Sequence, residues 1–303
     1  MATRYVLSID GGGMYGIIPA TWCTLIEQQT GKAMGALFDF MAGTSTGSIL
    51  TSAFSTGRTA EEAVKIYLDK GQEIFKDPRP FILQLFRPKF RGKYLVAVLK
   101  ERLGNETMGQ ANNPLLLTAF DVSRNSTKYF RSWVDEDKNI KIYDAVAASS
   151  SAPTAHPMHE VNGNCYTDGG VFAKNPSMAA LVEVMQMWPD DDYVLLSLGT
   201  GYFYNDYDCS KIRQWGLLNW LKVLAEIFQE GEEGLVAYQI EHLAKALQGR
   251  LTHFRFDIRL TQKKQSDVAD PEKLRGLQGL ALDSIAGDQN FEKMIEVLKA
   301  RAS

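Results

Sequence analysis

The sequence predicts an α/β fold in which a central parallel sheet is covered by helices. Over about the first two hundred positions, apolar runs bounded by turn residues alternate with segments of helical periodicity, as in such folds. The chain has 303 residues, of which 45% are hydrophobic and 23% charged, so it can bury one large core. After Gly201 the pattern becomes mainly helical with no Pro/Gly/Ser-rich linker, so we expect a helical extension on the same core.

The individual elements follow from these patterns in chain order. Strands are predicted at residues 5–9, 38–42, 115–122, 129–133 and 193–198. Helices are predicted at residues 19–29, 48–56, 60–74, 94–103, 145–150 and 176–187. The C-terminal extension shows helical patterns at 212–228 and 235–247, a strand-like stretch at 252–260, and closing helices through residue 300.

Composition excludes several classes of function. A net charge of -3 and a pI near 5.9 give no electrostatic footprint for nucleic acid, so we expect no nucleic-acid partner. Cys23, Cys165 and Cys209 have no CxxC spacing, which argues against a zinc site and a disulfide framework. No signal-peptide pattern is found, and no apolar run approaches the roughly 18 residues of a membrane span. We therefore expect a cytoplasmic protein.

The stretch 8–20 (SIDGGGMYGIIPA) contains a glycine cluster with several interpretations. Gly11, Gly13 and Gly16 satisfy the GxGxxG spacing between an apolar run and a helical pattern, which would suit a nucleotide-binding module. That module needs an acidic residue at the end of the second strand, whereas Asp39 stands at the beginning of that strand. The same backbone amides could instead bind the oxyanion of an acyl transfer, and a plain glycine turn is the third interpretation.

The stretch 38–50 (FDFMAGTSTGSIL) is typical of a nucleophile elbow. An apolar strand runs through Gly43, Ser45 and Gly47 straight into a helix, which is the setting that a GxSxG motif requires. Because the turn is too sharp for side chains at its flanks, glycine is needed on both sides of the serine. We expect the Ser45 hydroxyl to be exposed at the tip of the turn, beside a helix N-terminus.

A serine hydroxyl needs a positioned base to act as a nucleophile. Asp168 is one candidate, because the two glycines that follow it leave its carboxylate free to face a partner. An ordinary Asp-Gly turn is the alternative interpretation of that motif. A Ser-Asp-His triad through His253 or His242 is also conceivable, but ordinary α/β-hydrolases place several strands before the nucleophile and only one precedes Ser45.

Taken together, these motifs resemble those of the patatin-like phospholipases, a family of lipid acyl hydrolases. The resemblance covers residues 4–201 and rests on DGGGMYG at 10–16, GTSTG at 43–47, DGG at 168–170, KFRGKYLVAVLKERLG at 89–104, SSSAPTAHP at 149–157 and SLGTG at 197–201. It implies a three-layer α/β/α fold with a mostly parallel sheet, as a single domain over 1–303 with a core at 4–201 and a helical extension at 202–303.

The resemblance also implies a mechanism. Ser45 would be the nucleophile and Asp168 the general base, the histidines would be spectators, and neither a metal nor a cofactor would be needed. The backbone amides of Gly11, Gly12 and Gly13 would form the oxyanion hole. The implied substrates are the fatty-acyl esters of membrane glycerolipids. The protein would reach them by associating peripherally with a membrane.

Two positions depart from the family pattern. Tyr15 stands where the family usually has Arg or Lys, which weakens the expectation of a phosphate-bearing headgroup and favours neutral glycerolipids or general esters. Lys174 stands where Asn is common, a change that nothing in the sequence explains. Some bacterial relatives are effectors switched on by cyclic nucleotides, so a regulated bacterial effector with a small-molecule or protein activator is a further expectation. Tyr15 could also mark a pseudo-enzyme, although both Ser45 and Asp168 are present.

Two stretches contain apolar residues that could meet a membrane. Residues 79–93 interleave apolar residues with five cations, which suits either an anionic membrane surface or a docked helix with a solvated basic turn. The stretch with Trp215, Leu218 and Trp220 is apolar nearly all round, so core packing is expected there in preference to a lid.

Overall fold

The computed structural model describes residues 2–203, 207–260 and 269–302. It shows an α/β fold of three layers, in which helices cover both faces of one central, mostly parallel sheet. The predicted fold class is therefore confirmed. None of the described helices combines the length and the apolar character needed to cross a bilayer.

Most strands of the structure lie close to the predicted ones, and three short strands at 159–161, 164–168 and 202–203 are additions. Their bounds are β1 Thr3–Ile9, β2 Phe40–Thr44, β3 Leu115–Asp121, β4 Ser126–Arg131, β5 His159–Val161, β6 Asn164–Asp168, β7 Asp192–Leu198, β8 Tyr202–Phe203, β9 Leu251–Phe256 and β10 Arg259–Leu260. The strand order in the main sheet is β5-β6-β3-β2-β1-β7-β9, and β4 pairs with β3. Strands β1, β2, β3, β7 and β9 run parallel, whereas β4, β5 and β6 are antiparallel additions at one side.

Helices fill the connections between the parallel strands. Their bounds are α1 Ile17–Thr30, α2 Met34–Leu37, α3 Thr46–Ser55, α4 Ala60–Ile74, α5 Phe81–Gln84, α6 Lys93–Leu103, α7 Ile142–Ser149, α8 Ser177–Met187, α9 Cys209–Ile212, α10 Leu217–Ala246, α11 Pro271–Ile285 and α12 Gln289–Ala302. Short 3-10 turns cover Gly13–Gly16, Met108–Gln110 and Gly169–Val171.

The alternation of side chains along β1 divides the core into two parts. Leu7 and Ile9 belong to a cluster under α1, α3, α4 and α6, whereas Val6 belongs to a second cluster under α8 and α10. All three side chains are fully buried. The central strands are therefore apolar on both faces, as expected for parallel strands between two helical layers.

The C-terminal extension contributes to the sheet itself. Strand β9 pairs in parallel with β7 from Tyr193 opposite Leu251 to Leu198 opposite Phe256. Helix α12 returns across the molecule, and Arg301 binds both carboxylate oxygens of Asp39 at 2.6 and 2.8 Å.

The two helical patterns at 212–228 and 235–247 form one continuous helix, α10, so their separation was wrong. Gly231 and Gly234 lie in its middle, and their low helix propensity produced the apparent break. The expectation of core packing for Trp215, Leu218 and Trp220 was also wrong, since Leu218 is 75% exposed and Trp220 45% exposed. The N-terminal half of α10 is mostly exposed, and only its C-terminal half places Val236 and Ile240 in the core.

Candidate active site

The register of the sheet brings the ends of β2 and β6 together. Strand β2 pairs in parallel with β3 and ends with Thr44 opposite Thr118. Strand β6 pairs antiparallel with β3 and ends with Asp168 opposite Ala119. Strand β4 occupies one edge of β3, so β2 and β6 both pair with the opposite edge of β3. Because β2 is parallel to β3 and β6 is antiparallel to it, the C-terminal ends of β2 and β6 face each other. The residue after Thr44 is Ser45, so the topology alone places Ser45 beside Asp168.

Ser45 lies in the turn between β2 and α3 with a strained backbone. Its φ of 52° and ψ of -117° fall in a region that residues with a side chain rarely adopt. The flanking glycines are required by close packing, because a Cβ on Gly43 would overlap the Gly47 carbonyl oxygen and a Cβ on Gly47 would overlap the Ile9 carbonyl oxygen. This is the predicted elbow geometry, with α3 beginning at the next residue.

The carboxylate of Asp168 is buried and held on one side by its own loop. One of its oxygens, Oδ1, accepts a hydrogen bond from the Gly170 amide at 2.7 Å. The Ser45 side chain lies beside this carboxylate, where the ends of β2 and β6 meet. Burial raises the pKa of Asp168 from 3.8 to about 6, although Ser45 and the Gly170 amide oppose the increase. A carboxylate with this pKa can take a proton from the serine near neutral pH.

The three glycines of the first loop line the same cleft, but their amides are not equivalent. The Gly11 amide donates to the Lys174 carbonyl oxygen at 2.9 Å, and the Thr200 hydroxyl donates to the Gly11 carbonyl oxygen at 2.7 Å. The amides of Gly12 and Gly13 have no acceptor among the described residues. Two donors are therefore available near Ser45, and the third is occupied by the loop that carries Lys174.

Beyond the Ser45–Asp168 pair, the cleft is mainly apolar. It encloses about 200 Å³. Its apolar wall comes from α3, α4, α6 and the loops around them: Met14, Ile49, Ile66, Tyr67, Ile74, Phe75, Leu95, Pro153, Ala155 and Val171. This arrangement suits an extended hydrocarbon chain whose polar end reaches the Ser45 hydroxyl.

Polar contacts attach the middle of α10 to the loop after Asp168. The Gln229 amide donates to the Gly170 carbonyl oxygen at 3.3 Å, and Glu232 accepts from the Asn175 amide at 3.1 Å. Glu233 forms an ion pair with Lys174 at 2.8 Å. Lys174 is a cation that lines the cleft, but it is 8% exposed and its charge is compensated by this carboxylate.

The histidine alternatives lie away from the pair. His253 is on β9 opposite Leu195, where burial lowers the pKa of its imidazole to about 4, and His242 stacks on Tyr238 along α10. Neither of them lines the cleft. A third histidine, His156, does line the cleft, and its ring lies 5.7 Å from that of Phe75.

The acidic residue considered for a nucleotide site is bound to other groups of the protein. Asp39, which could have met a ribose hydroxyl, binds Arg301 and accepts a hydrogen bond from the Tyr5 amide at 2.8 Å.

Tyr15, which departs from the family pattern, is buried with its ring 5.7 Å from that of Phe203 and does not line the cleft.

Two residues at the site were missed by the sequence interpretation. The Ser149 hydroxyl accepts a hydrogen bond from the Ser45 amide at 2.9 Å, which fixes the turn from the α7 side. Gln229 reaches the cleft from α10, a helix assigned only to the extension. Ser149 begins a run of three serines whose position beside the elbow depends on tertiary structure, so no local signal distinguishes it.

Comparisons with known proteins agree with the geometry. The family model described as patatin-like phospholipase matches residues 7–181. Patatin-like protein 2 of Arabidopsis thaliana is 31% identical, over 89% of this chain and 79% of that protein. A Solanum tuberosum protein named probable inactive patatin-3-Kuras 1 is 30% identical, over 82% of this chain and 77% of that protein. Among solved structures, VipD from Legionella pneumophila shares the fold, with a TM-score of 0.51 and 11% identity over 98% of this chain and 67% of that one.

Proposed function

The chain belongs to the patatin-like phospholipase family, and from this premise we propose that it hydrolyses fatty-acyl esters of membrane glycerolipids with a Ser45–Asp168 dyad. The observation that carries the proposal is that Ser45 lies beside the buried Asp168 carboxylate and that both residues line one mainly apolar cleft. A nucleophile in contact with a base of matched pKa is the minimum that acyl transfer requires.

In the proposed mechanism Asp168 takes the proton of the Ser45 hydroxyl while the serine oxygen attacks the ester carbonyl carbon. The resulting oxyanion would be bound by the amides of Gly12 and Gly13, which have no acceptor among the described residues. Collapse of this intermediate expels the lipid alcohol, which receives the proton from Asp168, and leaves an acyl-serine. A water deprotonated by Asp168 then attacks the acyl-serine. The bond between the acyl carbon and the Ser45 oxygen breaks, the serine oxygen takes the proton back from Asp168, and the fatty acid leaves.

Of the three amides predicted to form the oxyanion hole, those of Gly11, Gly12 and Gly13, this proposal keeps two. Because the Gly11 amide already donates to the Lys174 carbonyl oxygen, its role is to hold the loop in place. The proposed donors to the oxyanion are therefore Gly12 and Gly13.

A neutral-lipid or general esterase is the second candidate. Lys174 is the charged amine that lines the described cleft, and it is neutralised by Glu233. Tyr15 supplies no charge and lies outside the lining. The described residues of the cleft lining therefore offer a phosphate no uncompensated Lys or Arg, so the ester group and acyl chain would dominate recognition there.

We also propose that the enzyme is cytoplasmic and meets its substrate as a peripheral protein. Cys23, Cys165 and Cys209 are all free thiols, which suits a reducing compartment.

The test is release of fatty acid from vesicles of phosphatidylcholine, phosphatidylglycerol and a neutral glycerolipid. Ser45→Ala and Asp168→Asn should each reduce release by about 10³-fold or more. Ser52→Ala is the matched control, since the Ser52 hydroxyl is buried in α3 without a hydrogen-bond partner among the described residues and does not line the cleft. Full release by either dyad variant would refute the mechanism. Cleavage of the neutral lipid alone would favour the second candidate.

A further inference from the structure

Five large apolar side chains are exposed in the loop between α4 and α6. They are Phe81, Ile82, Leu83, Leu85 and Phe86, with exposed fractions from 48% to 84%, and we refer to them as the apolar tip. The short helix α5 within this loop has no buried residue. Apolar side chains in such a contiguous run are costly in water unless another surface covers them.

The loop is fixed at its base, beside the candidate active site. The Arg79 amide donates to the Lys89 carbonyl oxygen at 2.8 Å, and the Phe90 amide donates to the Ala155 carbonyl oxygen at 2.8 Å. The ring of Phe90 is buried 5.1 Å from that of Phe75. Both Ala155 and Phe75 line the cleft. The apolar tip therefore projects from an anchored base at the edge of the cleft.

The charge around the tip is strongly positive. Residues 79–93 contain five cations and no carboxylate, whereas the whole chain carries a net charge of -3. Arg87 and Arg91 are exposed, and neither forms an ion pair with a described carboxylate. An apolar tip next to two exposed arginines that form no ion pair with a described carboxylate is complementary to a bilayer with anionic headgroups.

A second exposed apolar surface lies on α10, the helix that also carries Gln229 of the cleft lining. Leu217, Leu218 and Leu221 are exposed in the N-terminal half of this helix, and Gln229, further along it, lines the cleft.

We propose that the apolar tip inserts into the interface of an anionic bilayer, with Arg87 and Arg91 on lipid phosphates, and thereby holds the cleft against the lipid surface. This inference rests on the proposed function, because it assigns the lipid surface from which that site would draw its substrate. Contacts with lipid phosphates would then be made outside the cleft, by Arg87 and Arg91.

The experiment measures flotation of the Ser45→Ala chain with vesicles, since this variant leaves the lipid intact. Phosphatidylcholine vesicles are compared with an equal mixture of phosphatidylcholine and phosphatidylglycerol. The double substitution Phe81→Ser/Phe86→Ser should weaken binding to the anionic vesicles at least about tenfold. Arg87→Gln/Arg91→Gln should weaken binding mainly at low salt. The control is Leu280→Ser/Leu282→Ser, which removes two apolar side chains of α11 that are 51% and 45% exposed and should leave binding unchanged.

Insertion is read out directly with a tryptophan probe. Phe86→Trp should gain emission that brominated lipid quenches, whereas Leu282→Trp should not. The proposal is overturned if the tip variant binds the anionic vesicles as tightly as its parent. It is equally overturned if that variant converts a dimer into a monomer in light scattering while vesicle binding persists, because the tip would then cover a second copy of the chain.

The same variants, placed on the chain with Ser45 intact, separate this inference from the proposed function. Hydrolysis of a water-soluble short-chain ester should be unchanged in the tip variant, which also reports that it is folded. Fatty-acid release from anionic vesicles should fall with binding. Vesicle binding without any ester hydrolysis would refute the proposed function alone, whereas equal release from anionic vesicles by both chains would refute this inference alone.

Discussion

Arg255 donates a hydrogen bond at 2.7 Å to the fully buried carboxylate of Asp10, 245 residues earlier in the chain. The bond joins β9 to the residue that precedes the glycine loop. Arg255 also binds Asp257 at 2.7 Å, so one guanidinium holds two carboxylates. Burial raises the pKa of Asp10 to about 7, and Arg255 opposes that increase. The position of the glycine loop thus depends on a side chain from the C-terminal extension.

Arg255→Met should lower the free energy of unfolding by about 3 kcal/mol at pH 8, because removal of one partner leaves a buried carboxylate unpaired. The loss should be smaller at pH 5, where Asp10 can be protonated. Urea titrations at the two pH values measure both effects. Adding Asp10→Asn should recover part of the loss, and Arg275→Met on the exposed face of α11 serves as the control. An equal loss for the two arginine variants would contradict the argument.

The rate of ester hydrolysis should rise with pH and level off above an apparent pKa of about 6. The reason is that Asp168 must be ionised to accept the Ser45 proton, and burial raises its pKa to about 6. A profile of kcat/KM for a soluble ester between pH 4.5 and 8 measures this, within about one unit. A profile already flat at pH 4.5 would show that Asp168 is not the group that controls the rate.

Asp168→Asn should stabilise the protein at pH 8. The folded state holds the Asp168 proton more tightly than the unfolded chain, since its pKa is raised from 3.8 to about 6. Ionisation between these values therefore destabilises the fold as the pH rises, and the loss is complete above the folded pKa. Removing the charge should add on the order of 1–3 kcal/mol at pH 8 and little at pH 4. Equal stability of both chains at both pH values would contradict the raised pKa.

Gly47→Ala and Gly279→Ala should have opposite effects. A Cβ on Gly47 would overlap the Ile9 carbonyl oxygen, so the variant should lose about 3 kcal/mol and most of its activity. A Cβ on Gly279 in α11 meets nothing within 4 Å, and the alanine should add about 0.5–1 kcal/mol through helix propensity. Thermal unfolding and ester hydrolysis of the pair measure both effects. Tolerance of alanine at Gly47 would disprove the close packing of the elbow.

Ser149→Ala should slow hydrolysis about tenfold. The substitution removes the acceptor of the Ser45 amide, so the strained turn at Ser45 loses a hydrogen bond that supports it. KM should change less than kcat, since Ser149 itself does not line the cleft. Ser52→Ala removes an unpartnered buried hydroxyl from the described part of α3 and should leave both constants unchanged. If Ser149→Ala raised KM alone, a direct role in substrate binding would replace the positioning role.

The sequence was informative wherever function depends on local geometry. The elbow at Ser45 and the glycine loop are encoded by short motifs, and the alternation of strands and helices predicted the parallel sheet. The pairing of Thr44 and Asp168 with adjacent residues of β3 could not be predicted, because β5 and β6 are too short to leave a periodic pattern. The hydrogen bonds from the Gly11 amide to Lys174 and from the Ser45 amide to Ser149 could not be predicted either, since each joins residues more than a hundred positions apart.

The place of β9 at the end of the sheet bears on how much of the chain is needed for a stable protein. The match to the family model ends at residue 181, yet β9 covers the outer edge of β7 from Tyr193 to Leu198. A chain shortened to residue 201 would expose the unpaired amides and carbonyls of an apolar strand, an edge that recruits strands from other molecules. It would also lack Arg255, so the motif-bearing half should self-associate into aggregates when expressed alone, even though it contains every proposed catalytic group.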